Sequence, residues 1–362
     1  MKKFVSILLV LLFAFSLVAL SACQTGNDIE NFKKKFDSAN SFTAEIKVTI
    51  PENNVSQDFV FQVDGNMIYY YLKGHQNTQF GYLEISGDVV YTYQQTDDGK
   101  WYKVGSSVSD QAIWGDIDLA EIEEVYGKVL DYHYYDKIGR GIYKQKEFYS
   151  FGYLSNVQIR FTNKKCTIGC VVAVPNNPNV NLVIDLYNID TTTVTMPETH
   201  PIDDFDAKIQ VGNFVVMVTK TTGTGTKRYS ISVDGDKYRI EQDGEVLYCE
   251  TGYKLYLEKD GVWYKYVSYS FCFYYLPTFS IFFNVDDYEE VEGQPGVYQQ
   301  KAGKQIYDSV ETQEYVTNVK LTLTENGCTI EYTVGNAFYT IVISDMFTTT
   351  VELPIADQVR YY

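Results

Sequence analysis

A tyrosine-rich hairpin pattern occurs twice in the chain, at residues 91–104 and 253–266. In each copy an alternating run meets Asp-Gly, and Trp-Tyr-Lys follows after one intervening residue. Asp-Gly between alternating runs predicts a β-hairpin, because glycine accepts the positive φ that tight turns require. Both copies are therefore expected to belong to antiparallel sheets.

The hairpin is one of five short matches that keep the same order in both halves of the chain. The matched pairs are Phe-x-Ala-x-Ile at 42–46 and 205–209, Val-Asp-Gly at 63–65 and 233–235, Trp-Tyr-Lys at 101–103 and 263–265, Cys-Thr-Ile at 166–168 and 328–330, and Thr-Thr-Thr-Val at 191–194 and 348–351. Each match alone is weak. Together they predict a tandem duplication with a period of about 160 residues, which is the size of a domain and too long for a solenoid repeat.

The composition also favours β-structure. The 362 residues include 33 Tyr and 21 Phe, and aromatic side chains suit the half-buried faces of sheets. Short alternating runs recur between Gly and Asp turns, which is typical of antiparallel meanders. On such strands tyrosine suits a half-wet face, and the alternative is that Tyr and Phe line a concave sheet that accepts an acyl chain.

Two stretches of the first half have helical periodicity. Residues 28–39 place Ile29, Phe32 and Phe36 on one helical face. A second helix is predicted behind the N-cap candidate Asp118, and its apolar side should lie on the sheet. Its apolar residues are Leu119, Ile122, Tyr126, Val129 and Leu130.

The second half has a different segment at the corresponding place. Residues 269–283 are apolar and are interrupted by Pro277, which would break a regular helix. We expect this segment to cover the sheet. The alternatives are the wall of an apolar ligand cavity, or a patch that touches membrane. No leading helix is predicted for the second half.

The N-terminus has the pattern of a secretory leader, with Lys2 and Lys3 before an apolar stretch that ends near Leu20. The sequence Leu-Ser-Ala-Cys at 20–23 resembles the lipobox of bacterial lipoproteins. This resemblance implies cleavage before Cys23 and acylation of its thiol, which would leave residues 1–22 as signal peptide and 23–27 as a lipidated tether. The alternatives are an uncleaved membrane anchor and an ordinary signal peptide.

Charge and motif content exclude several classes of function. The net charge of -17 disfavours binding to nucleic acid and to anionic lipid surfaces. His75, His133 and His200 share no motif with metal-ligand spacing, and no Gly-x-Ser-x-Gly elbow occurs. Residues 221–227 predict a hairpin tip, and the acidic residues of 286–290 predict a solvated loop. We therefore expect no enzyme, no metal and no cofactor.

Five cysteines lie beyond Cys23, so at least one thiol stays unpaired within the chain. We expect mostly buried free thiols, with Cys249–Cys272 as the pair to test. Trp101 and Trp263 are interpreted as structural anchors where strands meet the cover.

The chain resembles LolA-like lipoprotein carriers and their LppX-like relatives in the order of its elements. These are a short helix, a Phe-x-Ala-x-Ile strand, and a meander of strands with a helical insertion. The resemblance implies a curved antiparallel sheet that forms an incomplete barrel, with helices over its open side and lipid bound between. The predicted fold class is therefore mostly β with α (α+β), with two tandem curved antiparallel sheets, each covered by a helix or apolar segment. The predicted repeats are 28–197 and 203–354.

These observations predict a lipid-anchored protein on the extracytoplasmic side of a bacterial cell membrane. Its predicted function is to bind or carry a hydrophobic, lipid-like ligand. The alternative is a structural or protein-interaction lipoprotein without a small-molecule ligand. The predicted ligand-binding residues lie on the two apolar covers and are Leu119, Ile122, Tyr126, Phe273, Leu276 and Phe279.

Overall fold

A computed structural model describes residues 27–87, 89–107, 128–149, 151, 154–173, 178–250, 254–267, 279–308 and 314–361. The leader, Cys23 and all of the tether except Asn27 lie outside these ranges. The described residues form twenty-four β-strands and two α-helices. By its internal contacts the chain divides into one unit of Met1–Gln94 with Ser107–Pro197, and a second of Gln95–Ser106 with Glu198–Tyr362. The predicted repeat boundaries stay a prediction.

The first sheet has eleven strands in the order β6-β5-β4-β3-β2-β1-β11-β10-β9-β8-β7. Helix α1 (Asp28–Asp37) precedes it, and short 3₁₀ turns occupy Pro51–Asn53 and Tyr132–Tyr134. Its strands are β1 (Ser41–Ile50), β2 (Val55–Asp64), β3 (Met67–Leu72), β4 (Phe80–Ser86), β5 (Val89–Gln95), β6 (Trp101–Ser107), β7 (Tyr135–Gly139), β8 (Ile142–Gln145), β9 (Leu154–Phe161), β10 (Lys165–Val172) and β11 (Val180–Tyr187).

The second sheet repeats this order and adds two strands. Its path is β18-β19-β21-β22-β23-β12-β13-β14-β15-β16-β17-β24, and β20 pairs with β21. Helix α2 (Pro201–Gln210) leads it, with 3₁₀ turns at Phe279–Phe282 and Val285–Asp287. Its strands are β12 (Asn213–Thr222), β13 (Gly225–Asp234), β14 (Lys237–Gln242), β15 (Glu245–Glu250), β16 (Lys254–Lys259), β17 (Val262–Val267), β18 (Tyr288–Glu290), β19 (Val297–Gln300), β20 (Ile306–Asp308), β21 (Glu314–Thr324), β22 (Gly327–Val334), β23 (Ala337–Ser344) and β24 (Gln358–Tyr361).

The predicted β-rich α+β class with two large sheets is confirmed. Most strand pairs of the described residues are antiparallel, and β17 and β24 run parallel. Among the described strands the two ends of each sheet do not pair with each other, so neither sheet closes into a barrel. Within the described ranges no helix is long and apolar enough to cross a membrane.

Each helix contributes apolar side chains to the core of its unit. Along β1 the residues Phe42, Ala44, Ile46 and Val48 are buried, as the period of two in a strand requires. The rings of Phe36 and Phe42 lie 4.8 Å apart and join α1 to this core. In the second unit the Phe205 ring of α2 lies 5.3 Å from Phe283.

Two expectations about secondary structure are wrong. Residues 205–209 are helical, not a strand, so the second half does have a leading helix. Phe-x-Ala-x-Ile fits a strand by its period of two, but Ile202, Phe205 and Ile209 also fit one helical face, as Ile29, Phe32 and Phe36 do in α1. Pro201 at the start and the His200 cap favour the helix. The sequence of residues 143–149 also predicts a single strand, but β8 ends at Gln145 and a turn follows.

Equivalent hydrogen bonds recur in the two units. Asp64 accepts from the amide of Val194 at 3.1 Å, and Asp234 accepts from Val351 at 3.1 Å. These acids belong to the two matched Val-Asp-Gly turns, and the amides to the two matched Thr-Thr-Thr-Val segments. Four of the five sequence matches thus occupy equivalent places in the two sheets, and the Phe-x-Ala-x-Ile match is the one that does not.

Candidate functional site

Most predicted site residues lie outside the described ranges. This holds for Cys23, Leu119, Ile122, Tyr126, Phe273 and Leu276. Phe279 is described, and it is buried in the second core with its ring 6.5 Å from Phe214. The last turn of the predicted cover helix places Val129 and Leu130 in the first core. The role of the covers in binding stays a prediction.

The inner face of β13–β17 carries a continuous apolar surface, which we call the second wing. The strand register aligns two cross-strand rows on it, Ile231-Ile240-Leu247-Leu257-Tyr264 and Val233-Tyr238-Cys249-Leu255-Tyr266. Ile231, Val233 and Cys249 are buried, whereas Tyr238, Leu247, Leu257 and Tyr266 are half-buried against the core. Apolar groups on this side of the sheet therefore remain partly uncovered by the described residues.

The corresponding first wing, the inner face of β2–β5, is more polar. Val63, Ile68 and Leu83 align across it, and Thr92 pairs with Leu83. The corresponding pair in the second wing is Leu255 with Cys249, so Thr92 takes the place of an apolar residue. Gln94, two residues further along β5, is on the same face and exposed. The first wing therefore offers less continuous apolar surface.

The ring of Tyr70 lies flat over Gly81 in the first wing. A Cβ atom at residue 81 would overlap this ring, so glycine makes the arrangement possible. Tyr70 also stacks on Phe61 at 5.9 Å, and burial raises the pKa of its hydroxyl. In the second wing the register places Ile240 and Leu247 at this pair of positions.

Two equivalent tyrosines begin β7 and β18 and differ in their hydrogen bonding. The Tyr135 hydroxyl donates to the Val129 carbonyl at 2.8 Å inside the first core. The Tyr288 hydroxyl is also buried, but no atom of the described residues is within hydrogen-bonding distance of it. Burial raises the pKa of both phenols, so both are neutral. A buried hydroxyl without a partner is costly, which marks a difference between the two cores.

On the outer faces a Tyr–Glu hydrogen bond occurs in both units. Tyr93 donates to Glu84 at 2.7 Å, and Tyr256 donates to Glu250 at 3.1 Å. Burial acts to raise the pKa of Glu250, but hydrogen bonds from Lys254 and Tyr256 hold it below its ordinary value. Each carboxylate is therefore engaged by a tyrosine of the same sheet.

The two repeated tryptophans are half-buried and lie outside both buried cores. The Trp263 ring makes an edge contact with Tyr248 at 5.6 Å. Its hairpin closes with the two residues Asp260 and Gly261, both at positive φ, as predicted for Asp-Gly. Whether the tryptophans meet the covers stays a prediction.

The histidines and acidic residues have separate local roles. His200 caps α2 by accepting from the amide of Ile202 at 3.2 Å, and burial lowers its pKa. Asp286 lies 3.8 Å from Lys100, and Asp287 lies 3.2 Å from Lys304. No group of three potential metal ligands is found among the described residues.

The described cysteines are buried. Cys166, Cys170 and Cys328 are free thiols, and burial raises the pKa of Cys170 and Cys328 to about 12. These thiols are therefore protonated and poorly reactive at neutral pH. Cys249 is buried in the second wing, and its predicted partner Cys272 lies outside the described ranges.

Comparison with known proteins leaves the family open. No protein-family model matches the chain, and no curated protein matches it. A solved structure from Nitrosomonas europaea, of a protein with a provisional AttH designation, aligns over 91% of this chain and 100% of its own. The identity is 6% and the TM-score 0.16, so this likeness carries no argument about fold or function.

Proposed function

We propose that this protein is a lipid-anchored bacterial lipoprotein on the extracytoplasmic side of the cell membrane, and that it binds or carries a hydrophobic, lipid-like ligand. The observation that carries the binding proposal is the second wing. Its half-buried residues Tyr238, Leu247, Leu257 and Tyr266 form an apolar strip on the inner face of a sheet that does not close. The proposal is one of binding, without a catalytic step.

An acyl chain suits this strip better than a polar ligand does. Each CH₂ group removed from water contributes about 0.8 kcal/mol, and the strip presents aliphatic and aromatic groups in cross-strand contact. At its edge the Arg360 guanidinium lies 4.5 Å from the centre of the Tyr264 ring. A cation at this position favours a ligand with an acidic or ester oxygen at one end of its chain.

The remaining parts of the proposal come from the sequence. In LolA-like carriers a helical cover closes over a curved, incomplete barrel, and lipid binds between. We infer the same arrangement here, with residues 118–130 covering the first sheet and 269–283 covering the second. The lipobox pattern that ends at Cys23 supports the anchor.

The direct test of binding is mass spectrometry of organic extracts from protein purified from its native membrane. We expect a reproducible acyl lipid in the wild type and a several-fold lower yield in Leu257→Gln, which makes the second wing more polar. Met217→Gln is the matched control, because Met217 is 50% exposed on the outer face of β12. A wild-type extract free of lipid would refute the binding proposal, as would equal yields from the two variants.

The anchor has a separate test. Cys23→Ser should move the protein from the membrane fraction to the soluble fraction, and the wild-type N-terminal peptide should carry a diacylglyceryl mass. Membrane association that persists in Cys23→Ser, with the leader cut at another site, would contradict the lipoprotein assignment.

A second candidate function is protein interaction, and the outer face of the first sheet favours it. Tyr69, Tyr71, Phe80 and Tyr82 cluster there, with ring centres of Tyr69 and Tyr82 4.7 Å apart and of Tyr69 and Tyr71 5.4 Å apart. In the second sheet the corresponding strands carry the ion pair of Arg239 with Glu241. Crosslinking in cells through a photoreactive residue at position 71 would capture a partner if this face binds one.

A further inference from the structure

The turn between β8 and β9 exposes an aromatic side chain. Phe148 is 97% exposed, and the nearby Ile138 and Tyr149 are 56% and 45% exposed. All three side chains line one shallow groove at the β7–β8 edge of the first sheet. A single exposed apolar residue is common, but three at one groove form an exposed apolar patch, which is typical of an interaction site.

The turn that carries Phe148 is well fixed by hydrogen bonds. The amide of Tyr149 donates to the Lys146 carbonyl at 3.2 Å, and the Gln145 side chain donates to the Tyr149 carbonyl at 2.7 Å. The Lys146 ammonium donates to the His133 carbonyl at 2.7 Å, and the Tyr149 ring packs edge-on against Tyr134 at 5.0 Å. Phe148 is therefore held outward by a built turn.

The second unit has a turn with equivalent hydrogen bonds and without the aromatic residue. The amide of Lys304 donates to the Lys301 carbonyl at 3.2 Å, and the Gln300 side chain donates to the Lys304 carbonyl at 3.0 Å. Lys301 also donates to the Asp286 carbonyl at 3.1 Å, as Lys146 does to His133. The residue before Lys304, equivalent to Phe148, is Gly303. Gly303 has a φ of 81°, whereas Phe148 is not at positive φ, so the two turns share their hydrogen bonds and differ in backbone conformation. These hydrogen bonds do not require phenylalanine.

The edge that carries Phe148 is joined to the start of α1. The Tyr143 hydroxyl of β8 donates to the Asp28 carboxylate at 2.8 Å, and Lys137 of β7 lies 3.5 Å from the same carboxylate. Asp28 is five residues after Cys23, and five residues of extended chain span at most about 17 Å. The proposed lipid anchor would therefore hold this edge close to the bilayer.

We propose that Phe148, Ile138 and Tyr149 form a membrane-contact edge that inserts into the bilayer interface beside the lipidated Cys23. Aromatic and aliphatic side chains flanked by lysine suit the boundary between headgroups and acyl chains. Arg140 and Lys144 flank the edge and suit lipid phosphates, whereas Asp136 and Glu147 would stay in water. This inference rests on the proposed anchor. We infer lipid as the binding partner of this edge, because the short tether would hold the edge next to the bilayer.

The test uses the full-length, lipid-anchored protein in phosphatidylcholine vesicles that contain brominated lipid. Phe148→Trp adds a fluorophore at the edge, and Phe338→Trp is the matched control, since Phe338 is 43% exposed on β23 of the second unit. The fluorescence of the native tryptophans is measured in the wild type and subtracted. We expect the added fluorescence at 148 to fall at least twofold in brominated vesicles, and the fluorescence at 338 to stay unchanged.

Equal and weak quenching at 148 and 338, in protein that floats with the vesicles, would overturn the membrane-contact edge and leave the anchor intact. The mass of the N-terminal peptide tests the anchor itself in the same sample. An unmodified Cys23 would refute the anchor and, with it, this inference.

Discussion

Tyr135→Phe and Tyr288→Phe make the same chemical change at equivalent positions, and we expect only the first to lower stability. Both side chains are buried, with exposed fractions of 2% and 4%. Tyr135→Phe removes the hydroxyl that donates to the Val129 carbonyl at 2.8 Å. Tyr288→Phe removes a hydroxyl that has no partner among the described residues.

The expected magnitudes follow from these contacts. Val129 lies where a helical turn ends, and its carbonyl is left unpaired inside the core of Tyr135→Phe. An unsatisfied buried group costs about 1–3 kcal/mol. In Tyr288→Phe a desolvated hydroxyl disappears at nearly constant side-chain volume, so the free energy of unfolding should stay within about 0.5 kcal/mol of wild type or rise.

Thermal unfolding followed by calorimetry separates the two outcomes. For a unit of this size 1 kcal/mol shifts Tm by about 2–4 °C, so Tyr135→Phe should lower the Tm of the first unit measurably. Tyr288→Phe should leave the Tm of the second unit unchanged or higher. Equal losses in the two variants would show that the Tyr288 hydroxyl does have a partner, and would refute the asymmetry between the cores.

Three further predictions concern the second unit. Trp263→Ala should cost about 1–2 kcal/mol in chemical unfolding rather than the 3–5 kcal/mol of a buried indole, because its ring is half-buried and its main aromatic contact is Tyr248. Gly105→Ala should lower Tm by several degrees, since its Cβ would overlap the Ala207 carbonyl of α2, and Gly169→Ala, at a position with open space, is the control. Burial and neighbouring carboxylates raise the pKa of Asp203 to about 6, so the folded state binds more protons between pH 4 and 6 and stability should rise as pH falls through that window. Asp203→Asn should flatten this rise in Tm measured at pH 7.5 and pH 5, and an unchanged pH profile would contradict the assignment.

Much of the sheet structure follows from sequence because its signals are local. The hairpin pattern at 253–266 predicted the antiparallel pair β16 and β17, and Asp-Gly predicted the turn at 260–261. The error at 205–209 arose where one sequence fits two periods. There the decision depends on Pro201, on the His200 cap and on the packing of Phe205 against Phe283, and this last contact is not local.

The site was harder to predict than the sheet. The predicted ligand residues were placed on the covers, whereas the apolar wing is distributed over five strands. Its continuity depends on the register that aligns Tyr238, Cys249 and Leu255, and sequence gives no such register. A comparison of equivalent strands could have found the polar Thr92 at the position of Leu255. When residues 91–104 are aligned with 253–266 without a gap, Tyr93 and not Thr92 falls at the position of Leu255. The first turn is one residue longer than the second, so this alignment is shifted by one residue before the turn.

Differences between two equivalent units are informative because the shared fold holds everything else constant. A residue that both units need for folding should persist in both, as Asp64 and Asp234 do at the same turn. The first unit has Phe148 where the second has Gly303, and Thr92 where the second has Leu255. The shared hydrogen bonds of the turn and the shared strand pairing do not require these differences. The two proposals assign membrane contact to the first unit and binding of the apolar ligand to the second. Phe148→Gly should then remove the membrane contact, and Leu255→Thr should weaken binding of the apolar ligand, without loss of the fold.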